Sequence, residues 1–496
     1  MVHLINLTLS LSVIILPVCQ TANGQTAPPR IGEIIIFGSE RTEIEVIRRE
    51  LLFAKGDLLD SALVAETERN LRNLFFIGEV NIDLVDSHGS LKVIVEVEDL
   101  HSRALSPLIS GPVDELNFGL IGFDYNLFGR GQILRLSLEN RALSGPKADL
   151  LFIEPRLRGS RQRLGIRLGF GAEGHDHTLS ISRPFATLAD ERSFGLSLSS
   201  QESVQRLYTQ GQLDHRYRAK ITRSRIWLSQ SFGSQTKIRP SIELGFTDHK
   251  STPSKGFSYA PLDKTRIVPS LGLLIWHPNF SRDRFIQNLG PLEDLQTGPW
   301  LSLRWGFAHR ELGSDRSYSF YQAQFAPYFK PTEHSYALLT LIASTHIDHR
   351  RFYNVIALTT FRAYARIGKA HSLALRVSWK ALHKSEDTTQ LLLGLNRGLR
   401  GFAPRTFDGT RRLLVNLAIR PTLKRHPWYT LAGAAFIDCG TAWTPNKKRP
   451  QLALSPGIGI RIGLPKVYNT PVLRCDLASG IRTRNWRLSV GLGQYF

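Results

Sequence analysis

Few residues in this chain have types and spacing suited to bond chemistry. "GHDHT" places His175, Asp176 and His177 together, and "THIDHR" does the same for His346, Asp348 and His349. Imidazoles and carboxylates so spaced are metal donors, but without further ligands neither group closes a site. The chain has no Gly-x-Ser-x-Gly for a nucleophile and no His-Glu-x-x-His for zinc. "GIGIRIG" at Gly457–Gly463 is followed by no helical pattern, so it reads as a glycine-rich strand and not a dinucleotide loop. Cys19, Cys439 and Cys475 show neither metal spacing nor a disulfide framework. No catalytic residue, metal or cofactor is expected. What remains is ionic chemistry. "GLNRGLRGFAP", residues 394–404, sets Arg400 between Gly398 and Gly401, beside Leu399 and Phe402 and ahead of Pro404. Glycine and proline keep this stretch out of regular helix or strand, so a lone arginine is presented on a long loop.

The charge distribution divides the chain. The 496 residues carry a formal charge of +21, yet residues 31–100 hold 15 acids and 7 bases, a net −8, against +28 for residues 101–496. Basic balance suits nucleic acid, anionic lipid or phosphorylated glycolipid. Here the arginines are spread through alternating apolar segments and not clustered with aromatics on one helix, which argues against nucleic acid. "LINLTLSLSVIILPVCQ" from Leu4 is the apolar core of an export signal, with Ala22 and Gly24 as small residues before a cleavage point ahead of Gln25. A retained anchor helix and a lipid-modified Cys19 are the alternatives, the first short for a span.

The elements that must position these residues are of two kinds. Residues 31–100 alternate strand and helix signals: "IGEIIIFG", a helix opened by a Thr42–Glu45 capping box with Ile44, Ile47 and Leu51 on one face, and a second helix from about Ser61 with Leu63, Thr67, Leu71 and Leu74. "EVNIDLV" and "LKVIVEVE" then form a hairpin about "DSHGS". The order β-α-α-β-β makes a small α+β module. Beyond residue 100 the helical period disappears. "RLGIRLGFG" sets Leu164, Ile166, Leu168 and Phe170 against Arg163, Gly165, Arg167 and Gly169, and "ILRLSLEN" sets Leu134, Leu136 and Leu138 against Arg135, Ser137 and Glu139.

Such alternation fits a soluble sandwich or a membrane barrel. Arginines facing inward on nearly every strand could not be satisfied in a dry core but are tolerable in a hydrated lumen. With export, this means an outer-membrane barrel. In the last segment, "NWRLSVGLGQYF", Trp486, Leu488, Val490, Leu492 and Phe496 fall on one face, as in a closing strand with an aromatic end.

Several of these stretches resemble the BamA/TamA superfamily of outer-membrane assembly and translocation proteins, which includes two-partner secretion transporters. Residues 31–100, with "NLFFIGEVNIDL", look like one POTRA domain; "DYNLFGRGQ" (Asp124–Gln132) looks like the first barrel hairpin. "PSLGLLIWHPNFSRDRF" followed by "NLGP" is loosely similar to the mid-barrel strand and turn. "LRGF" matches the loop motif that folds back into the lumen, and "AAFIDCGTAW" the strand motif with Phe436, Asp438 and Gly440. The resemblance implies a mainly β chain, a transmembrane antiparallel barrel of about 16 strands behind one POTRA-like domain; alternating segments alone number nearer 20. The expected organisation is signal 1–24, linker 25–30, POTRA-like domain 31–100, linker 101–117 and barrel 118–496.

The two motifs explain one another. Period two sends Phe436 and Asp438 to one face, Ile437 and Cys439 to the other, and a carboxylate facing lipid is costly. Arg400 is then expected to bridge to Asp438 and lie on Phe436 inside the barrel. The same parity turns Cys439 and Cys475 outward as apolar fillers. The strand after the loop departs from the family's Asn-x-Glu-x-Arg pattern: Asn416 and Arg420 are present, but Ala418 stands where Glu is expected. Asn126, Gly129 and Gly131 are either a plain hairpin turn or part of the seam between first and last strands. The resemblance implies insertion or translocation of unfolded polypeptide clients from the periplasm, without bond chemistry, by a bacterial outer-membrane protein whose N-terminal domain is periplasmic. Accessory periplasmic proteins and anionic glycolipid are the further partners it implies. A dedicated exporter of one polypeptide and a passive barrel are the other readings.

Overall fold

The computed structural model describes residues 30–496 apart from 88–89, 386–388, 447–449, 467–471, 482 and 484. The export signal, Cys19 and most of the 25–30 linker therefore lie outside the described residues.

The N-terminal domain follows the β-α-α-β-β order: β1 (Ile31–Phe37), α1 (Ile44–Arg48), α2 (Ser61–Arg72), β2 (Ile77–Ser87) and β3 (Ser90–Asp99). Its sheet has the order β1-β3-β2, with β1 parallel and β2 antiparallel to β3. Val93, Val95 and Val97 alternate onto the face that buries Ile47, Leu71 and Phe76, which is why β3 reads apolar at every second residue. Asp60 caps α2 through the N–H of Ala62. The capping box expected at α1 does not form. Thr42 instead donates to Asp99 and accepts from Asn126, and Glu43 takes the cap position with its carboxylate turned to Arg130 and not to the helix. A tertiary partner for the hydroxyl outcompetes the local one.

The rest of the chain is a closed antiparallel barrel of 20 strands among the described residues. The estimate of about 16 falls short, because the count came from the resemblance while the alternation itself had indicated more. Two strands are interrupted at prolines, which cannot donate to the ladder: Tyr318–Ala326 continues past Pro327 as Tyr328–Thr332, and Arg411–Arg420 continues past Pro421 as Thr422–Arg425. The barrel begins with β4 (Arg103–Pro112), inside the stretch read as linker. The polar, proline-bearing "RALSPLISGP" had hidden it.

Outward positions are apolar and bare. Leu138 and Phe170 are 64% and 57% exposed, while Ser137, between Leu136 and Leu138, is buried. Among the described residues no helix is long and apolar enough to cross a membrane. Inward positions hold ion pairs within and between strands: Glu243 lies between Arg225 and Arg304 of nearby strands, and Asp149 between Lys147 of its own strand and Arg167 of the next. Arginines that a dry core could not hold are satisfied laterally.

The two ends of the barrel are closed differently. At one end the N-terminal domain sits on the strand connections. Asn126 Nδ2 donates to Thr42 Oγ1 at 2.8 Å, Glu43 N–H to Gly129 O at 2.9 Å, and Arg156 grips Glu50 with both Nη2 contacts within 2.8 Å. A hairpin of Phe280–Arg284 and Leu292–Gln296, outside the membrane-spanning strands, is clamped to α2 by a two-pronged Arg72–Asp294 pair at 2.8 and 3.0 Å. Its tip extends under the domain: Phe285 and Leu289 pack against Ala370 and Ala432, and Ile286 against Tyr336, strands far round the cylinder. Glu293, buried, accepts from the N–H groups of Ile286, Gln287 and Asn288 and fixes that tip. From the other end, the connection between strands His371–His383 and Arg411–Arg420 folds inward.

Candidate functional site

That inward loop carries Arg400. Its stem is a short ladder, Leu391–Leu393 against Phe407–Gly409. Beyond the stem the chain tightens through Leu395–Arg397 to Gly398, whose φ of +116° suits glycine and where a Cβ would meet Leu414 Cδ2 at 2.2 Å. Leu399 and Phe402 bury against Leu393, Leu414, Ala442 and Ala453, an apolar patch on the inner wall. Gly401 N–H donates to Ser455 Oγ at 2.7 Å, and a Cβ at Gly401 would strike that same oxygen at 2.3 Å. Gly440, paired with Leu414 and Ala453 on that wall, leaves room for Leu393 of the stem. Apolar burial and close backbone approach deliver the arginine.

Arg400 is 1% exposed and Asp438 is fully covered. Arg400 Nε donates to Asp438 Oδ2 and Nη2 to Oδ1, each at 2.8 Å, and the Arg400 main-chain N–H adds a bond to Oδ2 at 3.1 Å. Asn416 Nδ2 completes the carboxylate at 2.7 Å and bonds Gly398 O at 2.8 Å, so the strand after the loop holds both partners. The guanidinium lies 3.2 Å from the Phe436 ring centre and 4.2 Å from that of Tyr495. Its third nitrogen, Nη1, reaches Asp476 Oδ2 at 3.3 Å, a carboxylate shared with Arg461 and Arg474. The arrangement is a fully dressed charge pair with no open ligand position. It can hold a loop; it has no group poised for bond chemistry.

Asp476, Arg461, Arg474, Ser455 and Tyr495 were missed in the sequence. Period two in "LRCDLAS" already places Asp476 opposite Cys475, and so on the inner face. Nothing local marks Tyr495. Cys439 is half-buried, Cys475 is exposed, and both are free thiols. His175 and His177 stack at 4.7 Å, and no group of three or more metal donors occurs among the described residues.

Of the two readings of Asn126, Gly129 and Gly131, the structure has the hairpin turn and not the seam: they join β5 (Asn117–Leu127) to β6 (Gln132–Arg141), held internally by Gly131 N–H to Asn126 Oδ1 at 2.7 Å and docked on the N-terminal domain. That hairpin is also not the first, since β4 precedes it. The seam lies between β4 and Trp486–Leu492, where Ser489 faces Pro112 and Val490 faces Gly111. These are two paired positions, against seven between Leu473–Ser479 and Trp486–Leu492. Trp486 and Leu488 point outward, with Val490 and Leu492 half-buried behind them. Phe496 leaves that face. The strand stops at Leu492, Gly493 adopts φ +81°, and residues 494–496 turn into the lumen. Tyr495 donates to Leu395 O at 2.6 Å, and the Phe496 main-chain oxygen accepts from Arg420 at 2.8 Å. Arg420 therefore stands apart from the Arg400–Asp438 pair, although it lies on the same wall. Arg405, on the loop's returning leg, pairs with Glu115 in the turn just after β4.

A family model described as "POTRA: Surface antigen variable number repeat" matches residues 29–99. "Outer membrane protein assembly factor BamA" from Neorickettsia risticii (strain Illinois) is 29% identical over 155 residues, 31% of this chain and 17% of that one. The match thus spans about a sixth of that relative's length. Among solved structures, CdiB from Escherichia coli is similar at 12% identity and TM-score 0.49, over 93% of this chain and 76% of that one. BamA from Haemophilus ducreyi lacking POTRA domains 1-3 is similar at 13% identity and TM-score 0.42, over 94% and 85%. Residues 29–99 thus match a POTRA family model, and the chain is similar in sequence, over part of its length, to an outer-membrane assembly factor of the BamA kind.

Proposed function

We propose that this protein inserts other polypeptides into the outer membrane or translocates them across it, and catalyses no bond chemistry. The observation that carries this reading is the fusion of a POTRA domain to a closed barrel whose lumen is occupied by its own loop. The N-terminal domain, in the periplasm, receives an extended client segment on a free edge of its three-stranded sheet by β-augmentation. Its acidic surface favours basic or unfolded clients over acidic ones. Arg400 and Asp438 hold the loop as a plug, and the sparsely paired seam is where the barrel opens toward lipid. A sheet edge with two paired positions separates at far lower cost than one with seven, since each ladder bond contributes about 0.5–1.5 kcal/mol net.

Depletion tests it. Broad loss of outer-membrane barrels on depletion supports insertion. Loss of one secreted protein with barrels unaffected supports the second reading, a dedicated exporter. No change in either refutes both and leaves a passive barrel.

A further inference from the structure

The hairpin of Phe280–Arg284 and Leu292–Gln296 springs from two neighbouring wall strands, Lys264–Trp276 and Trp300–Ala308, and its two faces differ. Its register pairs Phe280 with Gln296, Arg282 with Asp294 and Arg284 with Leu292, so these share one face, while Ser281, Asp283, Glu293 and Leu295 share the other. The first face meets the N-terminal domain. Arg69 of α2 lies 4.0 Å from the Phe280 ring centre, Arg72 forks onto Asp294, and Arg282 and Arg284 donate to Glu68 of α2 and Glu79 of β2. The second face meets the barrel. Asp283 accepts from Arg366 Nε and the Tyr336 hydroxyl, each at 2.8 Å, lies 3.2 Å from His334, and Leu295 packs on Tyr336. The hairpin thus offers arginines to the acidic domain and a carboxylate to the basic barrel.

Its tip reaches the far wall of the mouth beneath the domain. Phe285, Ile286 and Leu289 are buried there against Ala370, Ala432, Val472 and Tyr336. A Cβ at Gly463 would fall 2.8 Å from Leu289 Cβ, and one at Gly290 would fall 3.2 Å from Pro465, so tip and strand ends are in direct contact. The hairpin is a two-stranded sheet of its own, outside the barrel ladder. Two strands alone are marginal in water, so this pair owes its order to the bodies on its two faces. Taking one body away leaves a marginal hairpin to hold the tip in place.

We propose that the 280–296 hairpin is a gate across this mouth which the docked N-terminal domain holds shut, so that drawing α2 away unseats the tip and opens the passage. That an arriving client is what moves the domain rests on the proposed function; the coupling between domain and gate does not.

Hydrogen exchange of the full-length protein in lipid nanodiscs tests the coupling from both sides. The amides of Ile286, Gln287 and Asn288, bonded to Glu293, report the tip. Those of Glu43 and Leu188, bonded to Gly129 and Glu66 across the junction, report docking of the domain. Arg72→Gln, made in the domain, should speed exchange at the tip about tenfold, the worth of one charge-assisted fork. Phe285→Ala, made in the tip, should speed exchange at Glu43 and Leu188, because coupling is reciprocal. Wild-type exchange in the strand Trp300–Ala308 shows that the barrel is intact in each variant. Tip amides at the wild-type rate in Arg72→Gln, with Glu43 and Leu188 quickened, overturn the proposal. So does a Phe285→Ala protein whose tip is freed while Glu43 and Leu188 exchange as before. Should Arg72→Gln leave the domain docked, adding Glu68→Gln and Glu79→Gln strips that face of its ion pairs, and unchanged tip exchange there overturns it as well. No client enters the measurement, so its failure would leave the proposed function standing, and a depletion result that refutes that function would leave the coupling standing.

Discussion

Removing the Arg400–Asp438 pair should release the inward loop in a way that exposes the coupling between the two residues. Arg400→Ala leaves the Asp438 carboxylate, which is fully covered, with Asn416 as its remaining side-chain partner. Asp438→Ala leaves the guanidinium with a single bond of 3.3 Å to Asp476. Stranding one member of a buried pair costs about 3–5 kcal/mol, so each single variant should lose about that much. The double variant strands neither group, because Asp476 keeps Arg461 and Arg474. It should therefore cost little more than either single, with a coupling energy near 3 kcal/mol. Trypsin reads this out at Arg405, which is half-buried and paired with Glu115 while the loop is docked. When opening is fast, cleavage follows the open population, so a loss of 3 kcal/mol should raise the rate roughly a hundredfold in all three variants. Rates that multiply in the double variant, a coupling below about 0.5 kcal/mol, would refute the clasp.

Other consequences follow from the two ends and the seam. Burial lifts Glu293 from the ordinary 4.5 to about 7, offset in part by three backbone N–H bonds and reinforced by the nearby Asp283 charge. A carboxyl raised on folding binds more protons in the native state, so stability should fall as pH climbs from 4.5 to 7 and level off above, with Glu293→Gln flattening that slope in a pH series of unfolding midpoints. Asp283 is lowered overall, its bonds from Arg284 N–H, Tyr336, Arg366 and His334 outweighing burial, so its own contribution fades only in more acid solution. Pro112→Cys with Ser489→Cys, facing residues at the seam, should form a disulfide that lowers client insertion into vesicles at least tenfold until a reductant is added; insertion at the wild-type rate while oxidised would rule out seam opening. Asp294→Ala removes the fork that binds Arg72 and should weaken docking of the N-terminal domain by about 1.5–3 kcal/mol, seen as faster hydrogen exchange in α2 with the barrel strands unchanged.

Much of this architecture could be read from residue order because a barrel wall repeats one local rule. Alternation decides which side chains meet lipid, and it correctly faced Asp438 inward and Ile437 outward. Five strands follow the loop on such alternating stretches: Arg411–Arg420, Thr430–Trp443, Ala453–Gly463, Leu473–Ser479 and Trp486–Leu492. Contacts across the lumen obey no such rule. Thr42 gave up its local cap for Asp99, 57 residues away, and Tyr495 meets Leu395 across 100 residues. The inward turn of Phe496 hangs on the backbone of Gly493, whose freedom lets the chain leave the strand that alternation would extend. Strand β4 was missed because proline and serine obscure its period, although it is the edge on which closure depends.

Twenty strands instead of sixteen also change the size of the vessel. Girth grows in step with strand number, so the cylinder is about a quarter wider. An empty bore of that width would leak solutes like an open pore. The hairpin tip of Phe285–Leu289 from one side and the arginine-bearing loop from the other lie across that bore. On the proposed reading, cargo using this passage must first move part of the protein's own chain out of the way.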